Sequence, residues 1–288
     1  MYVMVCDRHS FLKESLDSVT NQIFNLKKIK LNMIVSDNST SNIKSEKIIE
    51  IIKSFKNVKY LKRKIHLNSV DHHNKIISES KADYLIMFHD DDVMLSSYLS
   101  KSIAILENHK NYSAFACNAN VIDEDSAIKK TLMRSKKNEV INTETQLIHK
   151  FFSKNSLGTP PFSSYTYRRS MIESNFMNFD KSGIMSDVVF LLNVNKFGCF
   201  YWDNEKLINY RLHKNNSLVN IRGRIKLINY ICSKYEISKN SILISDYKFL
   251  YLYKYFKKNF YKKFFLRRNF IILFFLTKSY LRRAGSYI

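Results

Sequence analysis

The chain has 288 residues, 45% of them apolar and 14% aromatic, with 47 Lys+Arg against 25 Asp+Glu and a formal net charge of +22. Length and apolar content exclude a disordered chain and suit one large domain with an appendage. The charge points to an anionic partner: nucleic acid, a membrane surface or a phosphorylated substrate. Only five glycines are present and none precedes Gly158, which excludes a Walker A loop or a GxGxxG turn in the first half, because both need glycine where backbone meets phosphate.

The first 120 residues alternate strand-like and helix-like segments. Tyr2–Cys6 is a short apolar run, followed by helical spacing at Phe11, Leu12, Leu16, Val19 and Ile23. Lys30–Val35 reads as a second strand ending in Ser36-Asp37-Asn38-Ser39, and Ile43–Phe55 as a second helix. Val58–Leu61, Val70–Ser80 and Tyr84–Phe88 follow as strand, helix and strand, the last running straight into His89-Asp90-Asp91-Asp92. Tyr98–Leu106 is helical again and Ser113–Cys117 strand-like. Such alternation predicts a mostly parallel sheet covered on both faces, with ligands at the carboxyl ends of its strands. Both polar clusters fall there.

The middle is less regular. Pro160-Pro161 marks a loop, Ser163–Arg168 a short strand and Asp187–Lys196 a helix, and Cys199–Trp202 and Leu207–Tyr210 read as two strands. From about residue 220 the composition shifts. Eleven basic residues and no acidic one follow Asp246, interleaved with aromatics, and Phe249, Leu252, Phe256, Phe260 and Phe264 keep helical spacing. Such a helix fits an anionic membrane interface, or else packs its aromatics on the main domain. Cys6, Cys117, Cys199 and Cys232 form no CxxC pair, so neither a disulfide framework nor a zinc site is expected, and a reducing cytoplasm is the simplest home. Charge at Asp7 and Arg8 interrupts any signal peptide, and the apolar run Phe270–Leu276 is far short of the ~20 residues that span a bilayer.

Asp90-Asp91-Asp92 is the sharpest chemical signal. Adjacent carboxylates repel unless a cation is near, and hard divalent ions bridge carboxylates to phosphates. The alternative is a solvated acidic turn that caps the next helix. Asp37 can accept a base N–H or a ribose hydroxyl, or simply close an Asx-turn.

Taken together, these segments resemble the family 2 glycosyltransferases over roughly residues 2–217. The carriers are Ser15-Leu16-Asp17-Ser18-Val19-Thr20-Asn21-Gln22, Val35–Ser39, Asn68 and Asn74 before the fourth strand, and Met87–Asp92 at the place of the D-x-D motif. Further on, Ser186-Asp187 falls where the family has Glu-Asp opening a helix, and Tyr210-Arg211-Leu212-His213 with Asn215-Asn216-Ser217 is similar to "YRxHxxNS". Met4-Val5-Cys6-Asp7-Arg8 replaces the usual "PTYNR", keeping only Arg8.

The resemblance implies an α/β GT-A fold over residues 1–219, with 220–288 as a basic aromatic helical extension. It implies inverting transfer from a nucleotide-sugar, UDP-linked by preference, to a glycan or lipid-linked acceptor in bacterial surface polysaccharide synthesis. Asp187 is then the catalytic base. Arg8, Asp37, Asn74, Asp90 and Asp91 bind the nucleotide-sugar, and Asp92 with His213 holds Mn²⁺ or Mg²⁺. The extension would place the enzyme peripherally on the inner face of the cytoplasmic membrane. Two other readings compete. A nucleic-acid-binding protein explains the charge but not three adjacent carboxylates, and a metal-dependent nucleotidyltransferase leaves Asp187 without a role.

Overall fold

The computed structural model describes residues 1–23, 29–172, 175–213 and 221–259. Its first part follows the alternation of the sequence: β1 (Tyr2–Val5), α1 (Leu12–Thr20), β2 (Met33–Asp37), α2 (Asn42–Ile52), β3 (Val58–Lys62), α3 (Ser69–Glu79) and β4 (Tyr84–His89). After the two-residue β5 (Val93–Met94) come α4 (Tyr98–Asn108), β6 (Tyr112–Ile122), β7 (Ile128–Thr131), β8 (Glu139–Ile141) and α5 (Glu144–Phe152). The remainder comprises β9 (Thr166–Arg168), α6 (Phe179–Ser182), α7 (Ser186–Asn195), β10 (Cys199–Arg211), α8 (Ile221–Lys234) and α9 (Ile242–Asn259).

Burial explains the layering. In β1, Tyr2 and Met4 enter one core cluster, Val3 and Val5 the other; in β4, Leu85 and Met87 divide from Ile86 and Phe88 in the same way. Side chains alternate along a strand, so strands apolar on both faces must be covered on both. One face is covered by α1, α2 and α4 through Leu12, Leu16, Ile48 and Leu99. The other is covered by α3, α5 and α7, where Val188, Val189, Phe190, Leu191 and Leu192 are all buried. The sheet order is β3-β2-β1-β4-β9-β6-β10-β5. The pairs β3/β2, β2/β1, β1/β4 and β6/β10 are parallel, while β9 runs antiparallel between β4 and β6.

Several expectations change. The two late strands are one, β10, irregular between Asp203 and Lys206. The fifth strand is longer than Ser113–Cys117, and β5, β7, β8 and α5 are additions. Residues 221–253 pack against the sheet domain: Leu227, Ile228, Ile231, Ile244, Tyr247, Tyr251 and Leu252 belong to the same core cluster as Leu85 and Met87. Phe260, Phe264 and the basic residues beyond them lie outside the described residues. Among the described residues, no helix is long and apolar enough to cross a membrane.

Candidate active site

The parallel register sets β1, β2 and β4 side by side, with Val5 opposite Asp37 and Met4 opposite His89. The chain segments that leave these strands therefore share one rim. Asp7, just past β1, has φ 59°, a left-handed conformation that aspartate tolerates better than most residues. The turn aims the Asp7 carboxylate at Thr40, whose N–H it accepts at 2.8 Å, and sends Arg8 back over the sheet edge.

Arg8 lies over the carboxylate cluster. Its guanidinium reaches Asp90 Oδ1 and Asp91 Oδ2, each at 2.9 Å, while the side chain stays half-exposed. The three aspartates are buried. Burial pushes Asp90 up to about 7 against the pull of Arg8. It likewise pushes Asp92 up to about 6, with the Asp91 charge adding and His89 opposing. Burial also acts on Asp91, but there His89, Arg8 and His213 outweigh it and hold the carboxyl below the usual range. Asp90 Oδ2 is buried with no hydrogen-bond partner. Negative charge is thus concentrated in a low-dielectric pocket, which favours a cation.

His89, Asp91 and Asp92 offer ligand atoms within 4.8 Å of one another. This donor set fits one divalent ion. His213 meets the cluster at Asp91, with Nε2 2.6 Å from Asp91 Oδ2. Asp92 is already braced: Oδ2 accepts from Ser163 Oγ at 2.5 Å and Oδ1 from the Arg211 backbone N–H at 2.9 Å.

Three residues of this constellation had no assigned role in the sequence reading: His89, Ser163 and Arg211. Arg211 is the keystone. Its guanidinium donates to Asp91 O (2.9 Å), Asp123 O (2.8 Å), Ser126 Oγ (3.0 Å) and Glu14 Oε2 (2.6 Å), and lies 4.2 Å above the Phe11 ring. It ties α1, the Asp123–Ala127 turn and the carboxylate loop to the end of β10. His89 and Arg211 lie inside Met87–Asp92 and Tyr210–His213, where an imidazole and a guanidinium are recognisable as polar groups at strand ends. Ser163 carries no local signal.

Asp187 lies in the first turn of α7. Its Oδ1 is buried without a hydrogen-bond partner, and burial raises its pKa against the Val188 N–H, its own N–H, Arg224 and His89. The Tyr210 phenol is pushed up to about 12 by burial and by the charges of Asp92, Asp91 and Asp187, so the cluster and the acid both lie within electrostatic reach of one ring.

Asp37 and Asn74 are placed differently. Asp37 is fully buried, with Oδ1 accepting from Ser39 N (2.8 Å), Oδ2 from Tyr60 OH (2.7 Å), and Lys62 at 3.5 Å. Asn74 exchanges two hydrogen bonds with the Met177 backbone, at 2.9 and 2.8 Å, and so straps α3 to the segment before α6. Asn215, Asn216 and Ser217 lie outside the described residues.

A large, mostly parallel sheet with an acidic cluster at its carboxyl rim and an acid on a facing helix defines a GT-A type fold. Residues 2–176 match the family model "Glycosyl transferase family 2", and the chain belongs to that family. An uncharacterized glycosyltransferase of Haemophilus influenzae is 23% identical over 220 residues, covering 75% of this chain; the chain spans 66% of that relative's length, just under two thirds. Among solved structures, S. aureus TarS 1-349 in complex with UDP-GlcNAc is similar at a TM-score of 0.55 with 13% identity, covering 88% of this chain and 80% of its own. The mannosyltransferase PcManGT from Pyrobaculum calidifontis, in complex with GDP-Man and Mn²⁺, is similar at 0.55 with 9% identity, covering 99% of this chain and 74% of its own.

Proposed function

We propose that the protein is an inverting glycosyltransferase that moves a sugar from a nucleotide-sugar donor to a hydroxyl of a glycan or lipid-linked acceptor. The observation that carries this is the buried cluster at the carboxyl end of β4, where His89, Asp91 and Asp92 bring ligand atoms within 4.8 Å of one another in a family 2 glycosyltransferase domain. The fold neighbours bound to UDP-GlcNAc and to GDP-Man with Mn²⁺ support a nucleotide-sugar donor and a divalent ion.

In this reading His89, Asp91 and Asp92 would hold the ion, and His213, bonded to Asp91 Oδ2, would orient that carboxylate or complete the shell. When bound, the ion supplies Lewis-acid neutralisation of the departing diphosphate. Arg8, half-exposed above Asp90 and Asp91, is placed to transfer part of its charge to the donor phosphates. Asp187 accepts the acceptor hydroxyl proton as the new C1–O bond forms and the C1–O bond to phosphate breaks on the opposite face, which inverts the anomeric centre. Its raised pKa makes it a stronger base than an exposed aspartate. Asp37 shapes the base side of the rim through Tyr60 and Ser39. Asn74 acts at a distance, by holding residue 177 in place.

The domain division at 219/220, a UDP donor and a place in surface polysaccharide synthesis on the inner membrane face belong to the same proposal. Calorimetry of UDP and GDP with Mn²⁺, on wild type and Asp92→Asn, tests its core. Metal-dependent binding of one nucleotide, lost in the variant, is expected. Metal-independent binding, or unchanged affinity in a folded Asp92→Asn, refutes the assignment of the cluster.

A further inference from the structure

On the surface formed by α6 and α8 is a cavity of about 460 Å³, lined by Lys181, Lys226 and Lys234 around Tyr230. Lys226, Tyr230 and Lys234 are spaced four apart on α8 and so share one face of that helix. Lys181 comes from α6.

The electrostatics are one-sided. Among the described residues no carboxylate pairs with any of the three lysines within 4 Å, although Asp180 lies on the wall. Lys234 donates instead to neutral groups, Asn193 Oδ1 at 3.0 Å and Tyr230 OH at 2.7 Å. Its ammonium is lowered to about 8 by burial and by neighbouring Lys196 and Lys181, with Glu144 opposing. Glu144 is itself engaged with Lys196 at 3.5 Å. All three cations rest on aromatic faces: Lys181 is 6.0 Å and Lys234 5.2 Å from the Tyr230 ring, and Lys226 is 5.5 Å from the Phe179 ring. A pocket that gathers three ammonium groups against the single carboxylate of Asp180 keeps an excess of positive charge and is a site for an anion with several acceptor oxygens.

The cavity is linked to the proposed site through the chain. The Lys226 side chain would touch a Cβ placed on Gly183, at 3.8 Å, and Gly183 lies four residues before Asp187. The stretch that begins with Asp180 and Lys181 on the cavity wall thus leads into α7 and its Asp187, the proposed base. The cavity is larger than one phosphate, which leaves room for what the phosphate is attached to.

We propose that Lys181, Lys226 and Lys234 bind a phosphate group carried by the acceptor, so that the acceptor is a phosphorylated glycan or a lipid-linked phosphate. The assignment to the acceptor rests on the glycosyltransferase reading; phosphate binding itself does not.

The test uses the full chain in EDTA, so that no metal-held diphosphate site competes. Glycerol 1-phosphate is titrated calorimetrically, with glycerol as the neutral control, into wild type, Lys181→Gln/Lys226→Gln and the surface control Lys56→Gln/Lys59→Gln. Lys181 and Lys226 are exposed, so their loss should leave the melting temperature unchanged. Saturable binding that weakens by about tenfold or more in the first variant, and not in the control, is expected from the loss of two charge-assisted contacts. Phosphatidic acid vesicles then locate the source. Lysine-dependent vesicle binding assigns a lipid phosphate, and its absence alongside intact glycerol phosphate binding assigns a soluble phosphorylated glycan. No saturable binding in wild type, or equal affinity in the Lys181→Gln/Lys226→Gln variant, overturns the proposal. Lysine-dependent phosphate binding in a protein that transfers no sugar would leave the site standing and remove only the acceptor assignment.

Discussion

Arg211→Met replaces the keystone by an apolar side chain of similar length, so cavity formation contributes little and the polar losses dominate. The Arg211 side chain is fully buried, whereas its partner Glu14 is 43% exposed. Water can therefore replace the guanidinium at Glu14 and at the exposed Ser126. It cannot readily do so at Asp91 O, and only in part at Asp123 O. Each abandoned buried acceptor costs about 1–3 kcal/mol, and the lost cation–π contact with Phe11 adds ~0.5–2 kcal/mol. The sum is about 4 kcal/mol, within the roughly 3–5 kcal/mol expected when one partner of a buried charged network is removed. At about 2–4 °C per kcal/mol for a large domain, the melting temperature should fall by roughly 8–16 °C. Urea unfolding followed by circular dichroism measures this. Arg211→Lys, which keeps the charge but not the fork, should fall between. A loss below about 1 kcal/mol in Arg211→Met would refute the keystone argument, because it would mean that the carboxylate loop holds its shape without the guanidinium.

Three further outcomes are expected. Asp187→Asn should keep nucleotide and metal binding but lose turnover by about 10²-fold or more, since the amide keeps the shape and removes the base; single-turnover assays with the natural acceptor check it. His72 and His73 are lowered to about 3 and about 4, chiefly by burial, so below pH 6.5 the unfolded chain holds protons that the folded chain refuses and stability falls as pH drops. By pH 5 this amounts to ~2 kcal/mol for each histidine. The raised Asp90 and Asp92 act in the opposite sense, losing stability as pH rises, so the test is the difference between wild type and His72→Asn/His73→Asn at pH 7.5 and 5.0, where the variant should be flatter. Removing residues 260–288 in the Lys181→Gln/Lys226→Gln background should spare the fold, because Tyr247, Tyr251 and Leu252 remain in the core, and should strongly weaken sedimentation with anionic vesicles relative to that background, each basic residue contributing about 1 kcal/mol there; undiminished vesicle binding by the truncated chain would sink the membrane reading.

The parallel half of the fold was legible because its strands are apolar on both faces and its helices keep a clean period. The additions were not, for reasons visible in the residues. All four residues of β7 are exposed, so Ile128–Thr131 shows no buried alternation to read. The polar run Asp203-Asn204-Glu205-Lys206 looks like a loop between two strands but is an irregularity within β10, where Asp203 and Lys206 still pair with β6. In the site, Asp90–Asp92 announces itself as a string of like charges, and Asp187 by its place before an apolar helix. Ser163 meets Asp92 across 71 positions and Arg211 meets Glu14 across 197, and no local pattern encodes such pairings. For Asp37 the sequence shows only a carboxylate at a strand end; Tyr60 and Lys62, which meet its Oδ2, come from the neighbouring strand and leave no local signal.

The place of β9 between β4 and β6 has a consequence for synthesis. Emerging from the ribosome, β1 to β4 can pair at once, but the free edge of β4 waits for Thr166–Arg168, roughly 80 residues later. At about 5–20 residues per second the nascent chain carries an open, apolar strand edge for roughly 4–16 s. An edge of that kind recruits other edges. Overproduction, which crowds nascent chains together, should therefore lose protein to aggregation at this stage, and a chaperone that shields Leu85–Phe88 until β9 arrives should recover it. Translational pausing between residues 90 and 165 should lower the soluble yield, while pausing after residue 168 should not.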